Sequence, residues 1–181
     1  MGTVERVRRL IDYDRAVFER YLASATRLGW AEACRDRGIG HGSIKDTLVH
    51  VLNVHEAWLA AIPQKEWAIF DAPGRQPGEV RSWSELRRYR DRVWSSVDHL
   101  LGGLTEARLR QRVKAPWMPG IYTLEDGFLQ SSFEQAHHVG EIIGVYWQAD
   151  RAPPKMTWIE NLPPRVLRGH ARAAGRRVRP R

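Results

Sequence analysis

Apolar residues recur at helical spacing in four stretches of the chain. In the first, Val4, Val7, Ile11, Phe18, Tyr21, Ala25 and Leu28 lie on one face of an α-helix. Gly29 follows, placed to end that helix in a left-handed turn. Asp14 breaks the stripe at a core-facing position, so its carboxylate needs a partner. The second stretch opens at Ser43, an N-cap with Asp46 three residues on, and runs to about Ala61 before Pro63. It carries two apolar seams. Ile44, Leu48, Val51, His55 and Trp58 form one; Thr47, His50, Val54, Ala57 and Ala61 form the other. A helix apolar on so much of its circumference packs on several sides, which predicts a buried His50. The third stretch opens at Ser82 or Ser84 and ends before Gly102-Gly103, with Leu86, Tyr89, Val93, Val97 and Leu100 on one face and a dense arginine face opposite. Thr105-Glu106 then starts one short turn. Lys114 to Tyr122 reads as loop. The fourth helix starts at the N-cap Thr123, continues to about Ala149 and is stopped by Pro153-Pro154.

Strand signals are nearly missing, so the predicted fold class is all-α, a four-helix bundle. The link from Ile62 to Arg81 is about 20 residues, longer than a helical hairpin needs. Extended at roughly 3.3 Å per residue, it can travel back along a helix rising roughly 1.5 Å per residue. The expectation is a crossover that leaves the second and third helices parallel.

Charge changes this picture at one place. The 181 residues carry a formal +8, which suggests nucleic acid or an acidic surface if that charge lies on the folded body. Residues 165–181 hold seven arginines and no acid, and read as a solvated, disordered basic tail. The remaining residues, 1–164, carry 22 Lys and Arg against 21 acids. The bundle is thus close to neutral, and only the tail argues for acidic partners or nucleic acid. No apolar run approaches the roughly 18 residues that span a bilayer, and no signal peptide is recognisable. A cytoplasmic protein without membrane contact is expected. The single cysteine, Cys34, excludes an internal disulfide and any thiolate zinc cluster. Arg35 and Arg37 beside it would lower its pKa. Eight tryptophans suggest that large rings fill much of the core.

Candidate chemistry lies in the polar residues set within helical seams. Glu134 and His138 are four apart on the fourth helix, about 40° around its axis and about 6 Å along it, close enough to grip one ion. A third ligand has to come from another helix, and His50 is the candidate. Two imidazoles and a carboxylate suit Zn²⁺, Fe²⁺, Ni²⁺ or Mn²⁺, with positions left for water or substrate. Glu141, one turn beyond His137 and His138, is the available general base; a solvated carboxylate is its other reading. Asp14 and Asn53 are candidates for holding His50 in one tautomer. Trp117, Met118 and Tyr122 plug the bundle end or form a mouth to the site, the plug being the default for large rings.

The stretch Ser43 to Leu59 (SIKDTLVHVLNVHEAWL) resembles the second helix of the DinB-like superfamily, which includes the bacillithiol- and mycothiol-dependent transferases. Glu134-Gln-Ala-His137-His138-Val-Gly140-Glu141 is similar to the family's fourth-helix motif His-x-x-His-His-x-Gly-Gln. The resemblance covers about residues 1–164. It implies a metal triad of one histidine from the second helix and two from the fourth, matching His50 and His138, with Glu134 where the middle histidine stands. Glu141 replaces the usual Gln and Val139 the usual Arg. The implied activity is metal-dependent: transfer of a low-molecular-weight thiol to a small-molecule substrate, or hydrolysis. The alternative is a metal-free helical module whose basic tail binds acidic partners or nucleic acid. Tryptophan-rich bundle faces suit a homodimer under either reading.

Overall fold

The computed structural model describes residues 2–158. The Arg-rich segment 165–181 and the boundary at residue 164 lie outside the described residues. Helix α1 (Thr3–Leu28) ends at Gly29, whose φ of 90° no L side chain adopts easily. A four-residue helix, α2 (Trp30–Ala33), and a loop lead to α3 (Ile44–Glu56), where Ser43 Oγ accepts from the Asp46 N–H as the sequence predicts. The helix does not stop before Pro63. Ala57–Ala61 widen into a π-turn, with the Ile62 N–H bonded to the Ala57 carbonyl. A further turn, α4 (Ile62–Gln64), then holds Pro63 at its start, where a missing N–H costs nothing.

The crossover contains two 3₁₀ turns, Trp67–Asp71 and Pro77–Glu79. Helix α5 (Trp83–Gly102) is capped by Ser82, not Ser84, and α6 (Glu106–Leu109) by Thr105. Two short strands, β1 (Arg112–Val113) and β2 (Tyr122–Thr123), pair antiparallel and clamp the ends of the intervening loop. Helix α7 (Leu124–Gln148) starts in a capping box formed by Thr123 and Asp126.

Helix directions follow from paired contacts. Lys45 Nζ donates to the Pro77 carbonyl, Tyr89 OH to Asn53, and His55 meets Trp94 edge to face, so numbers rise together along α3 and α5. These helices are parallel, as the long link implies. Ser132 bonds Asp14 and Tyr146 bonds Ser24, which makes α1 and α7 parallel. The pair His50–Glu134 joins α3 to α7, and Trp58 in the π-turn after α3 meets Tyr122 just before α7, so these two helices run in opposite senses. The bundle therefore runs up-down-down-up. Among the described residues no helix is long and apolar enough to cross a membrane.

The core is mainly aliphatic, with Ile11, Leu48, Leu52, Leu59, Leu86, Leu124 and Ile142 sealed from solvent, together with Phe18, Tyr21 and Phe128. The tryptophans contribute less than their number suggests. Only Trp58 and Trp94 are buried, while Trp117, Trp147, Trp67 and Trp158 are exposed. Asp14, the residue that breaks the α1 stripe, is buried and accepts from Ser132 Oγ at 2.5 Å, and its backbone carbonyl accepts from Gln135. Its side chain lies 3.8 Å from His55 Nε2, not beside His50. The crossover is pinned by a buried ion pair: Arg75 Nε donates to Glu56 Oε2 at 3.0 Å, and the same oxygen accepts from Tyr89 OH.

Candidate metal centre

Three histidine rings meet where α3, α7 and the loop before α3 come together. His50 and His138 have ring centroids 4.5 Å apart, edge to face. His41 stacks on His50 at 3.7 Å with the planes 21° apart, and meets His138 at 4.8 Å. Ligand atoms of the three lie within 4.8 Å of one another. Glu134 Oε2 is 3.3 Å from His138 Nε2 and 3.9 Å from His50 Nε2. Donors about 2.1 Å from one tetrahedral ion stand about 3.4 Å apart. The two Glu134 separations lie near that value, and the three imidazoles His41, His50 and His138 form the group whose ligand atoms all lie within reach of one another, a nitrogen-rich set of the kind borderline divalent ions take. The structure thus brings His50, Glu134 and His138 together and adds His41.

The sequence pattern overlooks His41 because it lies on no helix. It stands in Gly38-Ile-Gly-His-Gly42, a loop tightened by the left-handed Gly38 and Gly42 and by a bridge between Ile39 and Gly42. A histidine flanked by glycines was the available signal. Gly40 lets Glu141 come close: a Cβ there would lie 2.7 Å from Glu141 Oε1, so the carboxylate would have to shift.

Glu141 engages both of its oxygens. Oε2 is 2.8 Å from His138 Nδ1, and Oε1 accepts the Gly40 N–H at 3.3 Å. A carboxylate only accepts, so His138 Nδ1 carries a proton toward Glu141, and Nε2 is the ring nitrogen that faces Glu134. Burial would raise the Glu141 pKa, but the His138 hydrogen bond and charge and the Gly40 N–H outweigh it and hold the carboxyl below its usual range. Gln130 Nε2 similarly donates to Glu134 Oε1 at 2.8 Å. His50 is half-buried rather than buried. Burial and then the neighbouring His41 and His138 push its pKa down to about 4. His41 is lowered by burial and by His138. Both rings are therefore neutral near pH 7, the form that ligates metals.

Asn53 accepts from Tyr89 OH and Asp14 belongs to the His55 cluster, so neither orients His50. His137 is exposed, 3.8 Å from Glu141. Burial raises the Cys34 thiol, contrary to the lowering expected from Arg35 and Arg37.

A groove of about 570 Å³ opens beside His50 and Glu134. Val54, Trp58, Phe70, Trp117 and Met118 give it apolar walls, and Arg75 and Gln130 supply polar groups. Trp117 is 54% exposed and meets Trp58 and Phe70 edge to face. It overhangs this groove instead of plugging the bundle end, while Tyr122 packs half-buried on Trp58.

Four helices running up-down-down-up, with imidazoles and carboxylates brought together from facing helices beside an apolar groove, define a helical bundle with a candidate metal site. The chain belongs to the DinB superfamily, whose sequence model matches residues 10–142. No curated protein matches it.

Proposed function

We propose that the protein is a metal-dependent enzyme of the DinB type, acting on a small molecule held in the groove beside His50. The observation that carries this reading is the meeting of the His41, His50 and His138 rings beside Glu134, whose Oε2 approaches both His50 Nε2 and His138 Nε2, with Glu141 accepting from His138 Nδ1. His50, His138 and Glu134 would hold Zn²⁺, Ni²⁺, Fe²⁺ or Mn²⁺, and His41 would join them once its ring turns off His50. A divalent ion there supplies Lewis acidity, lowering the pKa of a water or a low-molecular-weight thiol brought to it. The residues do the rest. Trp58, Phe70, Trp117 and Met118 exclude water from an apolar portion of the substrate, and Gln130 steadies Glu134. Glu141 acts as a positioning residue for His138, since both of its oxygens are occupied. Thiol transfer and hydrolysis are separated by assaying the metal-loaded protein with small electrophiles, with and without candidate thiols. Turnover that needs the thiol assigns a transferase, and turnover without it a hydrolase.

The surface of α7 favours a homodimer as well. Leu129, Phe133, Ala136, Gly140 and Trp147 are exposed along one face, with the half-exposed Gly144, and no charge interrupts them. A Cβ at Gly140 or Gly144 would meet nothing within 4 Å, so neither glycine serves packing inside the chain. A two-fold axis at Gly140 sets Phe133 against Trp147 of a second copy and Ala136 against its Gly144, a self-complementary arrangement. The tail-mediated reading rests on residues outside those described, and it is tested by comparing polyanion binding of the native chain with one whose seven tail arginines are replaced by Gln.

A further inference from the structure

A second cavity, of about 520 Å³, lies at the end of the bundle where α4 passes into the crossover and the β1–β2 pair closes its loop. Its floor is apolar: Ile62 and Val113 are buried there, and Pro63 and Pro116 line it. Trp67 and Ile121 form walls that remain 40% and 56% exposed. Three cations stand around this floor, Lys65, Arg112 and Lys114, and none of the ten lining residues is acidic. Among the described residues none of the three has an ion pair or a side-chain hydrogen bond. Elsewhere in the bundle Arg15, Arg37, Lys45, Arg75 and Arg90 engage carboxylates, whereas no carboxylate of the described residues meets these three.

Lys65 adds an independent sign. It caps α4 at φ 58°, in the left-handed region. Glycine fills such a position without strain, whereas a Cβ there is crowded against the following carbonyl. A lysine at a left-handed position beside a cavity points to a use for its charge.

We propose that this cavity binds an amphiphilic anion, a molecule with one acidic head group and an apolar body. The volume falls in the range of small-molecule sites. Val113, Ile62, Trp67 and Ile121 take the apolar body out of water, and the three unpaired cations take the head group by charge-assisted hydrogen bonds. The site does not depend on a metal at the histidine cluster. It shares a wall with the groove there: Trp67 lines this cavity, Phe70 lines the groove, and the two rings stack at 6.2 Å.

The test uses the full chain and decanoate below its micellar concentration, followed by calorimetry, with decanol as the neutral counterpart. The basic segment 165–181 is present in every variant, so any anion it attracts is common to all. The expected result is saturation at one decanoate per chain, with decanol at least about tenfold weaker. The combined substitution Lys65→Gly, Arg112→Gln, Lys114→Gln should weaken decanoate by at least about tenfold. Lys65→Gly alone should weaken it severalfold while leaving the thermal midpoint equal or higher, an outcome a purely structural lysine does not give. Equal decanoate binding by the triple variant, equal binding of decanol, or absence of saturation would overturn the proposal. Vesicles of phosphatidylglycerol form the second arm. Sedimentation with vesicles that the triple variant loses, without decanoate binding, would assign the cations to a membrane surface and overturn the small-ligand site.

Discussion

At the residue scale, the centre is organised by what each imidazole is bonded to. His138 is held by Glu141, and Glu141 by the Gly40 N–H, against which a Cβ at position 40 would crowd the carboxylate. Substitution in this outer layer typically costs about 10–100-fold in metal affinity. Glu141→Gln and Gly40→Ala should therefore weaken metal binding by about that factor in a chelator competition, with the fold retained by circular dichroism. An unchanged affinity would make Glu141 a solvated carboxylate after all. His50 gives a second handle. Its folded pKa, about 4, lies below the ordinary 6.5. Between these values the unfolded chain binds the extra proton, so stability rises with pH there and is lost as pH falls from about 6.5 toward about 4. Urea unfolding in metal-free buffer should show this slope, and His50→Gln should flatten it.

At the element scale, helix beginnings were the most legible part of the sequence. Ser43, Thr105 and Thr123 cap as their side chains dictate, because a cap is a local hydrogen bond needing no knowledge of the rest of the fold. The end of the second helix was not legible. Pro63 marks a stop by local rules, yet the π-turn before it resets the helix so that the proline falls in a first turn. His41 escaped for the same reason in reverse: periodicity identifies helical residues, and this ligand-type side chain rides a glycine-bounded loop. The crossover was visible by length alone, but its anchor was not, because Arg75 looks like any surface arginine until it is buried against Glu56. Breaking that pair leaves a carboxylate in the interior. Arg75→Ala should cost about 3 kcal/mol in chemical denaturation, more than the fraction of a kilocalorie expected for an exposed arginine. It should also loosen the groove wall that Phe70 provides.

At the scale of the whole molecule, direction and charge are decided by different parts of the chain. The long link makes α3 and α5 parallel, and this places His50 on α3 opposite Glu134 and His138 on α7. The near-neutral charge over residues 1–164 fits a body that works on a small molecule. The exposed α7 face is the one the proposed homodimer would use. Light scattering coupled to size-exclusion chromatography should give twice the chain mass, and Phe133→Lys should return it to the monomer. Gly140→Ala separates the cases further. In a monomer, alanine stabilises the helix by about 1 kcal/mol, whereas in the symmetric pair its methyl group enters the crossing point and weakens association.

The central claim is a divalent metal held by histidines of α3 and α7 with Glu134. Metal content per chain, measured by mass spectrometry on untagged protein purified without chelator, tests it most directly. The account predicts close to one ion per chain in the native sequence and near-complete loss in both His50→Ala and His138→Ala, with the variants still folded. Substoichiometric metal that His50→Ala leaves unaltered would contradict it.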